Sequence, residues 1–598
     1  MAASIEEAPD AAEGVPKGDS GHHDISQREE VLASFHSKQK HGERSADEPA
    51  VEDQAAPVDP QNAQKIPGVR LPVRNHVGDP RTKDPPHHDP QHDVRRVLGR
   101  LALEFRESRP MPQRRTEANG GQHAEPVDRP CTNVETIGVN AGHNIPGVFR
   151  TSSPPARPRA FLRAAACYDS PVKPVPRFII RGGRPIAGRF RPMGNKNAAL
   201  PMLAACLLTE EPLILHNVPD ILDVRVMLDL LASIGVSVSF RDHTVRLSAA
   251  AVRRRFFPEA LCRRVRSSIL LAGPMAARFG RAVLSPPGGD VIGRRRVDAH
   301  VTGLRALGID VELGARFVFR RTSLRPADLL LDEASVTATE NILMAAALAP
   351  GITSIYNAAC EPHVQDLCHL LSKMGARVDG AGTNSLRIHG GAALRGAEMT
   401  VGPDYVEMGS FLAAAAVTGG SLIVENAPDP LTCSVCGRAF GIFGLPWRRD
   451  ASVLEQRARP ALRVAKTSPG PVPKIEDGPW PAFPSDLMSI AIVVATQARG
   501  TTLFFEKMFE SRMYFVDRLI EMGAHIVACD PHRVLVSGPA RLHATTLTSP
   551  DIRAGMSMVV AALCARGTSI IENAAMIDRG YERLAERLAD LGADIRRA

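Results

Sequence analysis

One pattern is written six times between about Phe178 and Ala598. An apolar, Ala-rich stretch leads to a Gly or polar break and a short β-branched run. A loop follows, then an amphipathic helix ending in Leu-Gly-Ala or a variant, then another β-type run. The copies close at Gly235, Gly308, Gly375, Gly444, Gly523 and Gly592. A repeat of this kind is one supersecondary unit that cannot bury its apolar face alone. Gly351, Gly420, Gly500 and Gly567 stand where a turn must precede the β-type run. Val226, Leu230, Leu231 and Ile234 carry the helical spacing of the first copy. Each closing glycine predicts a left-handed helix cap. No terminal capping units mark an open solenoid. The expected fold class is therefore α/β, with six βαβ-type units grouped three per lobe around a cleft.

The fourth copy is irregular. Gly437, Gly441 and Pro446 weaken its helix, and 448–473 is loosely patterned, so a frayed surface element away from the cleft is expected there.

Composition sets off the N-terminal part. From Met1 to about Arg159 the only aromatics are Phe35, Phe105 and Phe149, and long apolar runs are absent. So polar a segment cannot offset its chain entropy by burial, and a disordered extension over residues 1–170 is expected. The net charge of +8 is spread along the chain, with short runs at Arg253–Arg255 and Arg294–Arg296. With two Trp and five Tyr, stacking platforms are scarce. Anionic metabolites fit this balance better than nucleic acid. Ten cysteines without a disulfide rhythm suit a reducing compartment. Cys433 and Cys436 form a CxxC with no second ligand pair, so two ordinary thiols are expected rather than a metal site. The N-terminus lacks a signal-type apolar stretch and no run is long enough to span a bilayer, so a soluble cytoplasmic protein is expected.

Five polar segments interrupt the apolar pattern. Gly194-Asn195-Lys196-Asn197 precedes an apolar helix, which places an ammonium and an amide at a helix N-terminus where backbone N–H groups favour anions. Segment 285–296 holds Asp290 and Arg294–Arg296 among glycines and prolines, as a lid over an anionic substrate would. Three more polar clusters, around Ser485-Asp486, Asp551-Ile552-Arg553 and Asp578-Arg579, close successive repeats. Singly, each reads as readily as a solvated loop or a structural ion pair. At the ends of symmetric units, such loops can converge on one cleft.

GNKNAALP, PGGDVIG, FPSD, SPDIRAG and IDRGYERL, in this order and spacing, resemble the UDP-N-acetylglucosamine 1-carboxyvinyltransferase family, from about Phe178 to Ala598. The resemblance implies a two-lobed, inside-out α/β barrel. It places residues 178–196 with 404–598 in one lobe and 197–403 in the other, with crossings near Asn197 and Asp404. It implies transfer of the enolpyruvyl group of phosphoenolpyruvate to the 3-hydroxyl of UDP-N-acetylglucosamine by addition and elimination, the first committed step of peptidoglycan precursor synthesis. No cofactor, no metal, no nucleic acid or membrane partner and a monomeric state are expected. Lys196, Arg266, Arg295 and Arg579 would hold phosphate and carboxylate, and Asn197 would contact the sugar. Asp486 would be the base, and Asp290 stands where many members carry the cysteine that protonates C3. Asp551 would meet the reacting groups, with Arg553 in the same cluster. Ser335, Val336 and Thr337 would hold the uridine part, and Met508, Phe509 and Arg512 the cleft edge. Arg296, Glu333 and Thr337 depart from the residues common at those places.

Three rival readings stay open. The first is the same chemistry on shikimate 3-phosphate, although that sister family begins its phosphate corner with Ser-Lys-Ser. The others are a catalytically dead UDP-sugar sensor and a nucleic-acid binder.

Overall fold

The structure is a computed structural model that describes residues 175–289, 292–293, 296–458, 461–465 and 472–598. The expected extension over 1–170, and the site residues Asp290 and Arg295, lie outside the described residues.

Each repeat begins with a helix that is buried almost all round, among them Lys196–Ala204, Val336–Ala346, Tyr405–Val417, Met488–Gln497 and Ile552–Cys564. A helix apolar on every side belongs inside a core, and these pack on one another. Strands form outside them in six separate sheets, none closed into a barrel among the described residues. The buried side chains separate into two clusters. One runs from Ala198 to Val401. The other joins Phe178–Phe190 to Tyr405–Ile595.

The unit carries one strand more than the sequence pattern showed. In the first repeat, strand Leu213–His216 is followed by helix Leu222–Ser233 and then a hairpin, Ser237–Arg241 and Thr244–Ser248. The second hairpin strand, not the first, lies against Leu213–His216, antiparallel. The hairpin turn was illegible because Asp242 and His243 adopt positive φ, 46° and 58°, without a glycine. The expected helix caps are present: all six closing glycines have φ between 74° and 111°. At the fourth turn Gly419 takes the positive φ (74°). Gly420 is needed there for space, since a Cβ would lie 1.8 Å from the Ile186 carbonyl oxygen.

Strands distant in sequence complete the sheets. Glu398–Thr400 lies parallel to Leu213–His216. Ala187–Phe190 lies parallel to Ser421–Val424, and Phe178–Arg181 sits between Thr568–Glu572 and Asp594–Arg597. Segments 193–195 and 402–404 run side by side between the two clusters: Asn195 N donates to Gly402 O at 2.7 Å and Asp404 N to Met193 O at 2.8 Å. Asp404 caps helix Tyr405–Val417 through Val406 N and Glu407 N, and its other oxygen accepts from Lys196 N at 3.4 Å.

The fourth repeat is ordered where it is described, against expectation. Asp429 caps the helix Pro430–Gly441. Gly437 makes room for Trp447, whose ring a Cβ there would meet at 3.0 Å. Trp447 stacks on Phe440 with centroids 5.1 Å apart and donates Nε1–H to Gln456. The irregularity is thus a packing solution. No helix among the described residues is long and apolar enough to cross a membrane.

Because residues 1–170 are too polar to contribute a core, their removal is expected to leave cooperative unfolding and activity unchanged. Thermal denaturation and turnover of a chain starting near residue 171 check this, and an insoluble or inactive product would refute it.

Candidate active site

A cleft of about 700 Å³ is lined by residues of both clusters. One corner of it is built on Lys196, the first residue of its helix. The N-cap Asn195 accepts from Asn197 N (2.8 Å) and Ala198 N (3.2 Å) with its own side chain. The helix N-terminus therefore does not present these N–H groups to a ligand, contrary to expectation. Lys196 is 8% exposed, and its Nζ lies 2.6 Å from Asp223 Oδ2. Arg579, from the last repeat, donates Nε–H to Asp223 Oδ1 at 2.8 Å. Burial alone would raise the Asp223 pKa, but Lys196 and Arg579 bring it below the usual carboxylate range. One buried aspartate thus gathers two cations from opposite ends of the globular chain.

Sequence reasoning missed Asp223. It stands in the first turn of an amphipathic helix, where an acid is expected merely to complement the helix dipole. Asp223→Asn is expected to cost roughly 3–5 kcal/mol, because it removes the buried carboxylate that Lys196 and Arg579 share. The lowered pKa gives the pH dependence: the contribution is full above about pH 4 and is lost as the pH falls through the lower folded-state value. Variant and wild type should therefore differ in Tm at neutral pH and converge in acid. An equal Tm at pH 7 would contradict the assignment.

The second centre is Asp486, in the turn Ser485–Leu487 ahead of helix Met488–Gln497. Arg512 donates to Oδ1 and Arg553 to Oδ2, both at 2.9 Å. Burial opposes ionisation, yet Arg553 and Arg512 hold the Asp486 carboxyl well below its ordinary range. Arg512 lies over the Phe509 ring at 5.0 Å, and Arg553 donates to the Tyr581 hydroxyl at 3.4 Å. Behind them, the fully buried Glu506 accepts from Ser485 Oγ (2.9 Å) and Phe509 N (3.1 Å). Burial and a hydrogen bond with Asp477 push the Glu506 carboxyl up to about 9. This pair ties the Ser485–Asp486 turn to the Met508–Phe509 edge, and nothing in the sequence pattern had singled it out.

The other expected residues fall on the same cleft. Asn197, Arg266, Ser335, Val336, Thr337, Met508, Phe509 and Asp551 all line it. Arg266 Nη2 donates to the Arg296 carbonyl at 2.9 Å. Ser335 opens the helix Val336–Ala346, and Thr337 Oγ1 contacts His300 Nε2 at 3.1 Å. Asp551 caps the helix Ile552–Cys564 through Arg553 N and Ala554 N. Glu333 and Arg296 also line the cleft, and Arg296 pairs with Asp298. Where described, the glycine-rich segment touches both clusters. A Cβ on Gly288 would lie 1.7 Å from Arg263 O, and Ser511 N donates to Ile292 O at 3.4 Å.

The cleft sets one lysine and three arginines against two aspartates, a donor set whose chemistry suits a small polyanion. The sequence profile of the EPSP synthase (3-phosphoshikimate 1-carboxyvinyltransferase) family matches residues 180–588. The chain belongs to this family of enolpyruvyl transferases. A UDP-N-acetylglucosamine 1-carboxyvinyltransferase of Treponema pallidum is 54% identical over 70% of this chain and 98% of its own length. The enzyme of the same name from Bradyrhizobium diazoefficiens is 51% identical over 70% of this chain and 97% of its own. Among solved structures, the enolpyruvyl transferase NikO from Streptomyces tendae superposes with a TM-score of 0.64 at 23% identity, over 71% of this chain and 99% of that one. EPSP synthase from Acinetobacter baumannii gives 0.56 at 18%, over 71% of this chain and all of its own. The two structures share the fold of this enolpyruvyl transferase; the two sequence relatives are identical to it at about half of the matched positions.

Proposed function

We propose that this enolpyruvyl transferase moves the enolpyruvyl group of phosphoenolpyruvate onto the 3-hydroxyl of UDP-N-acetylglucosamine and releases phosphate, opening peptidoglycan precursor synthesis. The observation that carries the reading is the pairing of two charged centres in one cleft: Lys196 and Arg579 on Asp223, and Asp486 between Arg512 and Arg553. The first suits the phosphate and carboxylate of a small trianion. The second suits the acceptor hydroxyl. Names of relatives at 51–54% identity support this acceptor over shikimate 3-phosphate, the substrate class of neighbours that share only the fold.

In the addition step the 3-hydroxyl oxygen bonds to C2 of phosphoenolpyruvate. Its proton passes to Asp486, while Asp290 delivers a proton to C3. In the elimination step a proton passes from C3 back to the Asp290 carboxylate as the C–O bond to phosphate breaks, which restores the double bond and frees inorganic phosphate. A carboxylate gripped by two guanidinium groups is ionised but weakly basic. Substrate anions that draw Arg512 or Arg553 away strengthen Asp486 as a base at the moment it is needed. Lys196, Arg266, Arg295 and Arg579 stabilise charge as it develops on the departing phosphate. Asn197 holds the sugar, and Asp551 meets the reacting groups late in the cycle. Ser335, Val336 and Thr337 hold the uridine part. The two clusters act as lobes, 197–403 against 178–196 with 404–598, and the scattered cysteines suit the cytoplasm.

Phosphate release from phosphoenolpyruvate tests the reading. It is expected with UDP-N-acetylglucosamine and not with shikimate 3-phosphate or with neither. Release with shikimate 3-phosphate alone would replace the acceptor, and release with neither sugar would reject transfer.

A further inference from the structure

The cleft has a second wall that the chemistry above does not use. Helix Val336–Ala346 brings Glu340 to it, and the start of helix Pro362–Met374 brings Glu361 and His363. Glu340 and His363 are 1% and 3% exposed. Four of their polar atoms are buried and make no hydrogen bond among the described residues: Glu340 Oε1, Glu361 Oε2, and both ring nitrogens of His363. A buried polar atom left without a partner is costly, and such atoms are few in native folds. Four together on one wall of a cleft mark a place where a ligand completes the bonding.

The charge of this wall says which ligand. Burial, with Glu361 close by, pushes the Glu340 carboxyl well above the usual range. Burial also raises Glu361 and lowers His363 to about 4. The wall therefore offers carboxyl groups and a neutral imidazole, with donors and acceptors but no cation. A phosphate finds no counter-charge here, whereas hydroxyl and amide groups find both kinds of partner. Trp480 and Tyr405, with ring centroids 6.1 Å apart, line the same part of the cleft and supply apolar faces. Asp486 is near enough to bear electrostatically on His363. A sugar whose reacting hydroxyl sits at Asp486 thus has its neighbouring substituents within reach of this wall.

We propose that Glu340, Glu361 and His363 form the subsite that recognises the uncharged sugar ring of the acceptor through its hydroxyl and amide groups. This rests on the reading of the acceptor as a UDP-linked sugar and assigns the residues that select the sugar.

Equilibrium binding separates the two. Wild type should bind UDP-N-acetylglucosamine at least about tenfold more tightly than UDP, because a site built to hydrogen-bond a substituent rejects the analogue that lacks it. Glu361→Gln and His363→Gln should lose most of that difference while binding UDP as before. In turnover, KM for the sugar nucleotide should rise and KM for phosphoenolpyruvate should stay within about twofold, which a merely structural defect would not produce. A 4-deoxy or 6-deoxy sugar should be penalised in wild type and much less so in the variant that lost its partner, the non-additivity expected of groups in contact. Unchanged preference for the sugar nucleotide over UDP in both folded variants would overturn the subsite, as would equal losses for UDP and UDP-N-acetylglucosamine. If one variant fails to fold, the other and the deoxy-sugars on wild type decide. If wild type binds the sugar nucleotide preferentially but releases no phosphate with it, the transfer reading fails and the subsite stands.

Discussion

Lys196→Ala is expected to lower phosphate release by about 10²–10³-fold, the scale of losing one preorganised charge from a transition-state site, and Arg579→Ala by a similar factor. Lys196 is buried and Arg579 mostly buried at the cleft, and they meet on Asp223, Lys196 at 2.6 Å and Arg579 at 2.8 Å. Neither is a solvated surface cation, so water cannot replace it when charge builds on the departing phosphate. The aspartate matters to the argument. In the unliganded protein it occupies the cations with an anion, which holds them together until substrate anions arrive. Removing either cation leaves Asp223 half-compensated, so Tm must be measured alongside turnover to separate lost folding from lost chemistry. Steady-state phosphate release on folded variants is the check. A loss worth only ~0.5 kcal/mol, the level of an exposed ion pair, would make the residue peripheral.

The second large effect concerns Asp290, which stands in PGGDVIG where many members of the family carry a cysteine. Fosfomycin inactivates those members by alkylating that thiol. The reaction needs a soft, strongly nucleophilic thiolate, and a carboxylate attacks an epoxide far more weakly. Wild type is expected to keep its activity through prolonged exposure and to gain no adduct mass. Asp290→Cys should remain active and become sensitive. Asp290→Asn should lose most activity, since an amide cannot deliver the proton to C3. The structure removes one alternative. Cys262 is the nearest thiol in sequence to this segment, and its carbonyl accepts from Gly288 N at 3.2 Å, but its side chain is fully buried. Burial also pushes the Cys262 thiol up, away from the thiolate form. Rapid irreversible inactivation of wild type, or normal turnover by the Asn variant, would show that Asp290 is not the acid.

Much of this protein was legible in its sequence because the information is local. A closing glycine specifies a left-handed cap without help from distant residues, and all six caps are where the repeats placed them. Apolar spacing identified the helices of each unit, and the polar segments around Lys196, Asp486, Asp551 and Arg579 were visible as interruptions of it. Their resemblance to one family then placed thirteen described residues on a single cleft. The hairpin through Asp242 and His243 escaped because its turn uses no glycine. Gly437 read as helix decay because the ring that fills its missing side chain comes from Trp447, beyond the helix.

What only the tertiary structure decided is pairing between distant groups. Asp223 lies 356 positions from Arg579, and along the chain it is one more acid in the first turn of a helix. Its role exists only once the first and last repeats meet. Likewise Asn195 takes up two N–H groups of its own helix, which leaves the side chains of Lys196 and Arg579 as the cations at this corner. Glu340, Glu361 and His363 look like ordinary polar residues of helix segments until the cleft buries four of their polar atoms with no hydrogen bond among the described residues. Propensity and capping act over a few residues and can be read from one. Burial, charge compensation and unsatisfied hydrogen bonds are set by neighbours that only folding supplies.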